Sequence, residues 1–271
     1  MNKEIIKKNL INNLLSYRFF LIIIVSYLLS YINIITTTDW QKYGINNFLL
    51  YTLNFNSGKG TSYYIIILPF LAAIMGGSLF GNEVRSRINI LILSRISKKK
   101  YLSSLLFSSF ILGGIGGTFP IMVSLLCSYL KLPYFDRNLG QFRIFEKSFW
   151  GFELFSTHPV LTIILLSLII FIFSGLLANL SLAISYFLPL KIIETVLVFI
   201  VSYISFLIVS LLNLDILNHN VFINYKVSES FPNSLYSLIG YIVVLFLIIY
   251  LTTRREINYD GFQTIKKTNN K

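Results

Sequence analysis

Residues 160–187 read VLTIILLSLIIFIFSGLLANLSLAISYF, an apolar run without a charged side chain. A helix rises about 1.5 Å per residue, so about 20 such residues cross the roughly 30 Å hydrocarbon layer of a bilayer. Other long apolar blocks occur on both sides of this run. The sequence therefore predicts an all-α integral membrane protein with six transmembrane helices, at about residues 19–35, 63–81, 101–128, 160–187, 193–214 and 235–253.

The composition also favours lipid over water. Of the 271 residues, 55% are hydrophobic and 13% are charged, whereas a soluble domain carries about 25% charged residues. The single cysteine, Cys127, excludes intrachain disulfides and thiolate clusters. A net charge of +12 is also typical of nucleic-acid binding, but here the basic residues flank apolar blocks. We therefore expect a lipid bilayer and no nucleic acid as partner.

Lysine and arginine are unevenly distributed between the two sides of the predicted bundle. The amino terminus, residues 82–100, Lys191 and the tail 254–271 carry 16 of the 23, and the other connections carry the remainder. Because cytoplasmic loops are enriched in basic residues, both termini are predicted to be cytoplasmic and the chain to lie in the plasma membrane. Lys191 and Glu194 should then lie at the interface, where the fifth span begins. The first apolar run has no cleavage pattern after it, which predicts a retained span.

Three connections have amphipathic patterns. Residues 3–18 predict a helix in the cytoplasmic interface, with one apolar face formed by Ile6, Leu10, Ile11, Leu14 and Leu15. In residues 82–93, apolar residues recur at helical spacing, namely Val84, Ile88, Leu91 and Ile92. Residues 141–155 carry a phenylalanine stripe that fits either an external interfacial helix or an aromatic belt.

Glycines at a spacing of four occur in two spans, as Gly77-x-x-x-Gly81 and Gly113-x-x-x-Gly117. This spacing permits close approach of helices, so we predict that these glycines pack helices together, at a subunit interface or along a transport path. Pro120 and the glycines around Gly113 are also predicted kink positions.

Patterns that would indicate catalysis are missing. The sequence contains no H-E-x-x-H, no G-x-S-x-G, no P-loop and no cluster of metal ligands. The spans also lack the central charges that bind protons or sodium ions in coupled carriers. We therefore expect no enzyme activity, no cofactor and no metal in this chain. Active transport would need a separate ATPase.

The run Phe80-Gly-Asn-Glu-Val-Arg-Ser86, with Ile90-Leu-Ile-Leu-Ser-Arg95 and Ser97-Lys-Lys-Lys-Tyr101 after it, resembles ABC-2 type permeases. These are membrane-spanning subunits of ATP-driven exporters. In that family a glutamate follows the second span, and an apolar LLLS-R-P stretch precedes the third. Here the proline after Arg95 is missing, and Arg87 replaces a glycine that commonly follows the serine.

The resemblance implies a single ABC-2 domain over residues 1–271, with an elbow helix at 3–18 and a coupling helix in 82–95. The family's coupling helix inserts into a groove of a cytoplasmic ATPase. The residues implied for this contact are Glu83, Arg85, Arg87, Ile88, Leu91 and Arg95. Among them, Glu83 and Arg87 would make polar contacts, and Ile88 and Leu91 would be the apolar anchor.

The partners implied are a separate ABC ATPase dimer, which would bind ATP and Mg, and a second permease copy, identical or different. The small size is similar to bacterial permeases of bacteriocin immunity and antimicrobial-peptide export. The resemblance implies a hydrophobic or amphipathic peptide, lipid or drug-like molecule as the substrate. Two alternatives stay open. Residues 82–100 could serve only as a basic loop that fixes topology, and the chain could be a stand-alone immunity or scaffold protein that acts by binding.

Overall fold

The computed structural model describes residues 2–37, 48–56, 58–131, 154, 157–185, 193–211 and seven positions between 239 and 250. In this part of the chain the regular structure is helical, without strands. The helices are α1 (Lys3–Leu14), α2 (Tyr17–Thr36), α3 (Lys59–Ala72), α4 (Leu79–Arg85), α5 (Ile88–Leu93), α6 (Lys98–Lys131), α7 (Pro159–Ser185) and α8 (Ile193–Leu211). A 3-10 turn, Phe48–Tyr51, precedes α3, and a π-helical turn, Ala73–Gly77, follows it.

Four stretches are long and apolar enough to cross a bilayer: Tyr17–Thr36, Lys59–Gly77, Lys98–Lys131 and Val160–Ser185. They overlap the first four predicted spans. The prediction of an all-α chain is therefore confirmed for the described residues, with four candidate membrane-spanning helices. Within α8, the apolar part Ile193–Ile204 is shorter than a span. Apart from a few positions, the predicted sixth span 235–253 and the stripe 141–155 lie outside the described residues, as does the tail 254–271.

The amino-terminal helix is shorter than predicted. Helix α1 ends at Leu14, and Leu15 and Ser16 separate it from α2. Its buried residues are Ile5, Ile6 and Asn9. Leu15 is 83% exposed, whereas Leu10 and Leu14 pack partly against the apolar cluster around Leu105. The predicted apolar face from Ile6 to Leu15 is therefore only partly covered by the rest of the chain. The helix turns its first half toward α6, because the backbone N–H of Asn2 donates to Ser104 Oγ at 2.7 Å.

The centre of the fold is the packing of α6 against α7, and small residues bring these helices together. A Cβ atom added to Gly117 would lie 2.5 Å from Ser174 Cβ, and one added to Gly113 would lie 2.9 Å from the Ser174 carbonyl oxygen. Neither distance is sterically allowed, so both positions require glycine. Helix α6 continues through Pro120 without interruption. The predicted kink positions therefore lie inside one continuous helix.

A buried loop, residues 48–56, fills the space between α2, α3 and α6. Its apolar side chains Tyr51, Leu53 and Phe55 are almost fully buried. Polar side chains of the helices hold its backbone: Asn33 Nδ2 donates to the Tyr51 carbonyl at 2.8 Å, and the Leu53 N–H donates to Ser124 Oγ at 3.0 Å. This loop belongs to the connection between the first and second predicted spans, which was expected to be external. Its burial was not predicted from the sequence.

Candidate functional site

One end of the bundle collects most of the segments predicted to be cytoplasmic. Arg18, next to the start of α2, donates to Ser78 after the second span. Arg85 at the end of α4 contacts Glu194 at the start of α8. The same end carries the exposed basic residues of α1 and of the connection to α6, and we call it the basic end: Lys3, Lys7, Lys8, Arg87, Arg95, Lys98, Lys99 and Lys100.

The segment 82–95 is divided between two short helices. Helix α4 ends at Arg85 and α5 begins at Ile88, with Arg87 between them at a φ of 57°. A left-handed conformation is unusual for a residue with a side chain and persists only where the surrounding structure holds it. The periodic spacing of Val84, Ile88 and Leu91 therefore does not come from one helix, contrary to the prediction. The chain changes direction at Arg87, and α5 is a separate unit.

Helix α5 exposes two large apolar side chains, Ile90 at 58% and Leu91 at 68%. On its other side, Asn89 is buried and Ile92 packs against the apolar cluster around Leu105. Of the predicted anchor pair, Leu91 is exposed. Ile88 is half-buried instead and lines a cleft beside α1. We call Ile90 and Leu91 the apolar tip; Ile90 was not among the predicted coupling residues.

The predicted polar contacts differ in their surroundings. Arg87 and Arg95 are exposed. Glu83 is half-buried and accepts a hydrogen bond from the Tyr101 hydroxyl. Burial raises the pKa of Glu83 above its usual range, while the Tyr101 hydrogen bond and the charge of Lys8 act in the opposite direction. Glu83 therefore connects α4 to α6.

Arg85 is committed to contacts within the chain. Its Nη2 lies 2.7 Å from Asn82 Oδ1 and 3.2 Å from Glu194 Oε1. Asn82 Oδ1 also accepts from Arg18 Nη2 at 3.5 Å. These four residues form a polar network that joins α2, α4 and α8, and we call it the Arg85 network: Arg18, Asn82, Arg85 and Glu194.

Glu194, which was predicted to lie at the membrane interface, has a fully buried side chain at the basic end. Gly81 provides the space, since a Cβ atom there would lie 3.1 Å from the carboxyl carbon of Glu194. Ser181 Oγ donates to the Glu194 carbonyl at 2.8 Å, which fixes the start of α8 on α7. Among the described residues Glu194 Oε2 has no hydrogen-bond partner. In the sequence, this site is marked only by one acidic residue, Glu194, at the start of a long apolar run.

The four predicted packing glycines are all buried. Gly77 faces Ser181, Gly117 faces Ser174, and Gly113 faces both Ser174 and Ala178. Gly81 lies under Glu194. All four therefore pack against helices of the same chain.

The roles of these residues follow from their geometry alone. No family model, curated protein or solved structure matches the chain. Two properties of the basic end are then informative about function: an exposed apolar tip on a separate short helix, and a buried ionic connection from that segment to the rest of the bundle.

Proposed function

We propose that the chain is the membrane-spanning permease subunit of an ATP-driven ABC exporter and that α5 docks into a separate cytoplasmic ATPase. The apolar tip is the observation that carries this proposal. Ile90 and Leu91 are more than half exposed on a segment outside the four candidate spans. Neighbouring large apolar side chains that protrude into water favour burial in a partner. The resemblance of residues 80–101 to ABC-2 permeases supports an ABC ATPase as this partner.

The charge around the tip supports a docking mode in which a helix enters a groove. Exposed basic side chains surround α5, including Arg87, Arg95 and Lys98. An apolar anchor with a charged rim is the usual composition of such an interface. The partner groove is therefore expected to be apolar at its base and acidic at its rim.

Movement of α5 would reach the membrane through buried contacts. Arg85 ties α4 to α8, and Glu83 ties α4 to Tyr101 of α6. When the ATPases bind ATP and close, α4 and α5 would move with them and would displace α6 and α8 through these contacts. In the proposed exporter, two permease copies line the path, both termini are cytoplasmic, ATP and Mg lie on the ATPase dimer, and the substrate is a hydrophobic or amphipathic peptide, lipid or drug-like molecule.

Co-purification tests the proposal. The tagged chain, expressed in its own host and purified in mild detergent, should carry along a P-loop ATPase that mass spectrometry identifies. Leu91→Asp should abolish this association and the ATP hydrolysis stimulated by the permease, because a charge replaces the apolar anchor. The matched control is Ser97→Asp, which adds the same charge at an exposed position of the same connection.

Two results would contradict the proposal. One is a Leu91→Asp variant that binds and stimulates the ATPase as the original chain does. The other is a chain that purifies without any P-loop protein, which would favour the stand-alone immunity or scaffold alternative.

A further inference from the structure

Two adjoining clefts open at the basic end. The first, of about 380 Å³, lies between α1 and α4, and Lys8, Asn9, Arg18, Glu83 and Ile88 are among its lining residues. The second, of about 200 Å³, extends along α2, the second span and α8, and it is lined mainly by apolar side chains, including Leu21, Phe70, Ile74 and Val196. Tyr17 and Arg18 line both. The two spaces therefore both border the first residues of α2.

The first cleft, which we call the polar cleft, offers positive charge and hydrogen-bond donors. Lys8 is exposed at its edge, and the Arg18 guanidinium forms part of its wall. Asn9 is only 6% exposed, and its Nδ2 has no acceptor among the described residues. A buried amide donor left without an acceptor costs free energy that a bound acceptor would recover.

Glu83 is the acidic side chain of the polar cleft. Its Oε2 accepts the hydrogen bond of the Tyr101 hydroxyl. Its burial raises the pKa of this carboxyl group, while the Tyr101 hydrogen bond and the charge of Lys8 lower it. Against it stand the two cations Lys8 and Arg18. The polar cleft therefore favours an anion with oxygen acceptors, such as a phosphate group.

The second cleft, which we call the apolar groove, lies against stretches that are long enough to span a membrane. Leu21 belongs to Tyr17–Thr36, while Phe70 and Ile74 belong to Lys59–Gly77. Leu21 is 40% exposed, so the groove is open at its side. In a bilayer this opening faces hydrocarbon, and an acyl chain would fill the groove without desolvating polar groups.

We propose that the two clefts together form a binding site for one anionic phospholipid. Its phosphate would lie in the polar cleft near Lys8 and Asn9, its acyl chain in the apolar groove, and its glycerol region beside Arg18. A phosphate joined through glycerol to an acyl chain matches the order of these surfaces, and the surrounding bilayer supplies such a molecule. The bound lipid would connect α1 to α4 and Ile88. This proposal does not depend on the ATPase.

Lipid binding to the purified and delipidated chain tests the proposal. Phosphatidylglycerol should bind at one molecule per chain in native mass spectrometry, several-fold tighter than phosphatidylcholine. Lys8→Gln should weaken phosphatidylglycerol binding about fivefold. The matched control is Lys7→Gln, which removes the same charge at an exposed position of the same helix that does not line either cleft. It should leave the affinity for phosphatidylglycerol unchanged.

The apolar groove has its own pair of variants. Leu21→Trp should fill the groove and reduce phosphatidylglycerol binding, whereas Ile24→Trp, at an exposed position of α2 outside the groove, should not. Equal losses in Lys7→Gln and Lys8→Gln would overturn the proposal, because they would indicate diffuse attraction to the basic end. Competition by millimolar glycerol phosphate as effective as by lipid would also overturn it, since the site would then bind soluble anions.

Discussion

Arg85 and Glu194 form an ion pair with 3.2 Å between Nη2 and Oε1, although 109 positions separate them in the sequence. The carboxylate is fully buried, whereas the Arg85 side chain is 30% exposed. Arg85 also donates to Asn82, so it keeps one partner if Glu194 is changed. Glu194 Oε1 has no second hydrogen bond among the described residues, and the nearby Arg18 acts on this carboxyl group through its charge alone. The two members of the pair therefore differ in how they depend on each other. Loss of Arg85 leaves the buried Glu194 carboxylate without a hydrogen-bond donor from the described part of the chain, whereas loss of the carboxylate leaves Arg85 bonded to Asn82.

Arg85→Ala is expected to destabilise the chain by about 2–4 kcal/mol, because removing one member of a buried ion pair leaves the other unpaired. Glu194→Gln should cost less than about 1 kcal/mol, since the amide oxygen can still accept from Arg85. Apparent unfolding temperatures in mild detergent measure both. Equal losses for the two variants would show that the ion pair does not carry the effect.

Gly117→Ala should destabilise the chain by about 1–3 kcal/mol, because the added methyl group overlaps Ser174 where α6 packs on α7. The double variant with Ser174→Gly should recover most of this loss, because removal of the Ser174 side chain makes room for the added methyl group. Gly240→Ala is the control, since nothing lies within 4 Å of a Cβ atom at that position. Thermal unfolding of the four proteins checks the prediction, which fails if Gly117→Ala unfolds like Gly240→Ala.

Asn33→Leu should destabilise the buried loop by about 1–3 kcal/mol and increase protease cleavage within residues 48–56. Asn33 Nδ2 donates to the Tyr51 carbonyl, and its Oδ1 accepts from the Thr61 N–H at 3.2 Å. Ser26→Ala, on the same helix and equally buried, removes only a bond to the Ile22 carbonyl of its own helix. It should cost about 0.5 kcal/mol or less. Similar cleavage of both variants would argue against the role of Asn33.

Glu83→Gln should gain stability relative to the original chain as the pH rises above about 4.5, the usual pKa of this carboxyl group. A raised pKa means that the folded state binds a proton more tightly than the unfolded state. The folded chain therefore loses stability from that pH upward to the folded-state pKa, and glutamine removes this loss. Unfolding temperatures from about pH 4 to about pH 8 measure it.

Tyr101→Phe extends the same experiment, because the tyrosine hydroxyl stabilises the charged carboxylate. The pH-dependent loss should continue to higher pH in this variant. A difference between Glu83→Gln and the original chain that is constant over the whole pH range would contradict the shifted pKa.

Leu91→Cys should react with a membrane-impermeant maleimide only after cells are permeabilised, and Ser62→Cys should react in intact cells. The positive-inside bias predicts this arrangement, and both positions are exposed at opposite ends of the second span. Cys127→Ser provides a background without cysteine. Labelling of Leu91→Cys in intact cells would contradict both the orientation and the docking proposal.

Hydropathy predicted the long helices well because each requires only a continuous apolar stretch. The runs that became α2, α6 and α7 contain such stretches, and their observed bounds differ from the predicted ones by a few residues. Glycine spacing predicted close approach of helices, and Gly113 and Gly117 pack against α7 of the same chain, where no room is left for a side chain. Their place at a subunit interface or along a transport path stays a prediction.

Features that depend on distant partners could not be predicted in this way. Glu194 is buried because Arg85 reaches it from another helix, and no local pattern records that pairing. The break at Arg87 has no glycine or proline to mark it. Asn54, Asn56 and Thr61 resemble an external loop in composition, yet they are buried at the edge of the bundle and bond to one another or to neighbouring backbone.

The buried loop has a mechanical consequence. Through Asn33, Thr61 and Ser124 it fastens three helices at the end far from α5, so these helices cannot slide apart there without breaking several hydrogen bonds at once. If these helices tilt, they would pivot about this loop, and the largest displacement would occur where Arg85 and Glu194 meet. A displacement begun beside α5 would be largest near its origin and would fade toward the opposite membrane face.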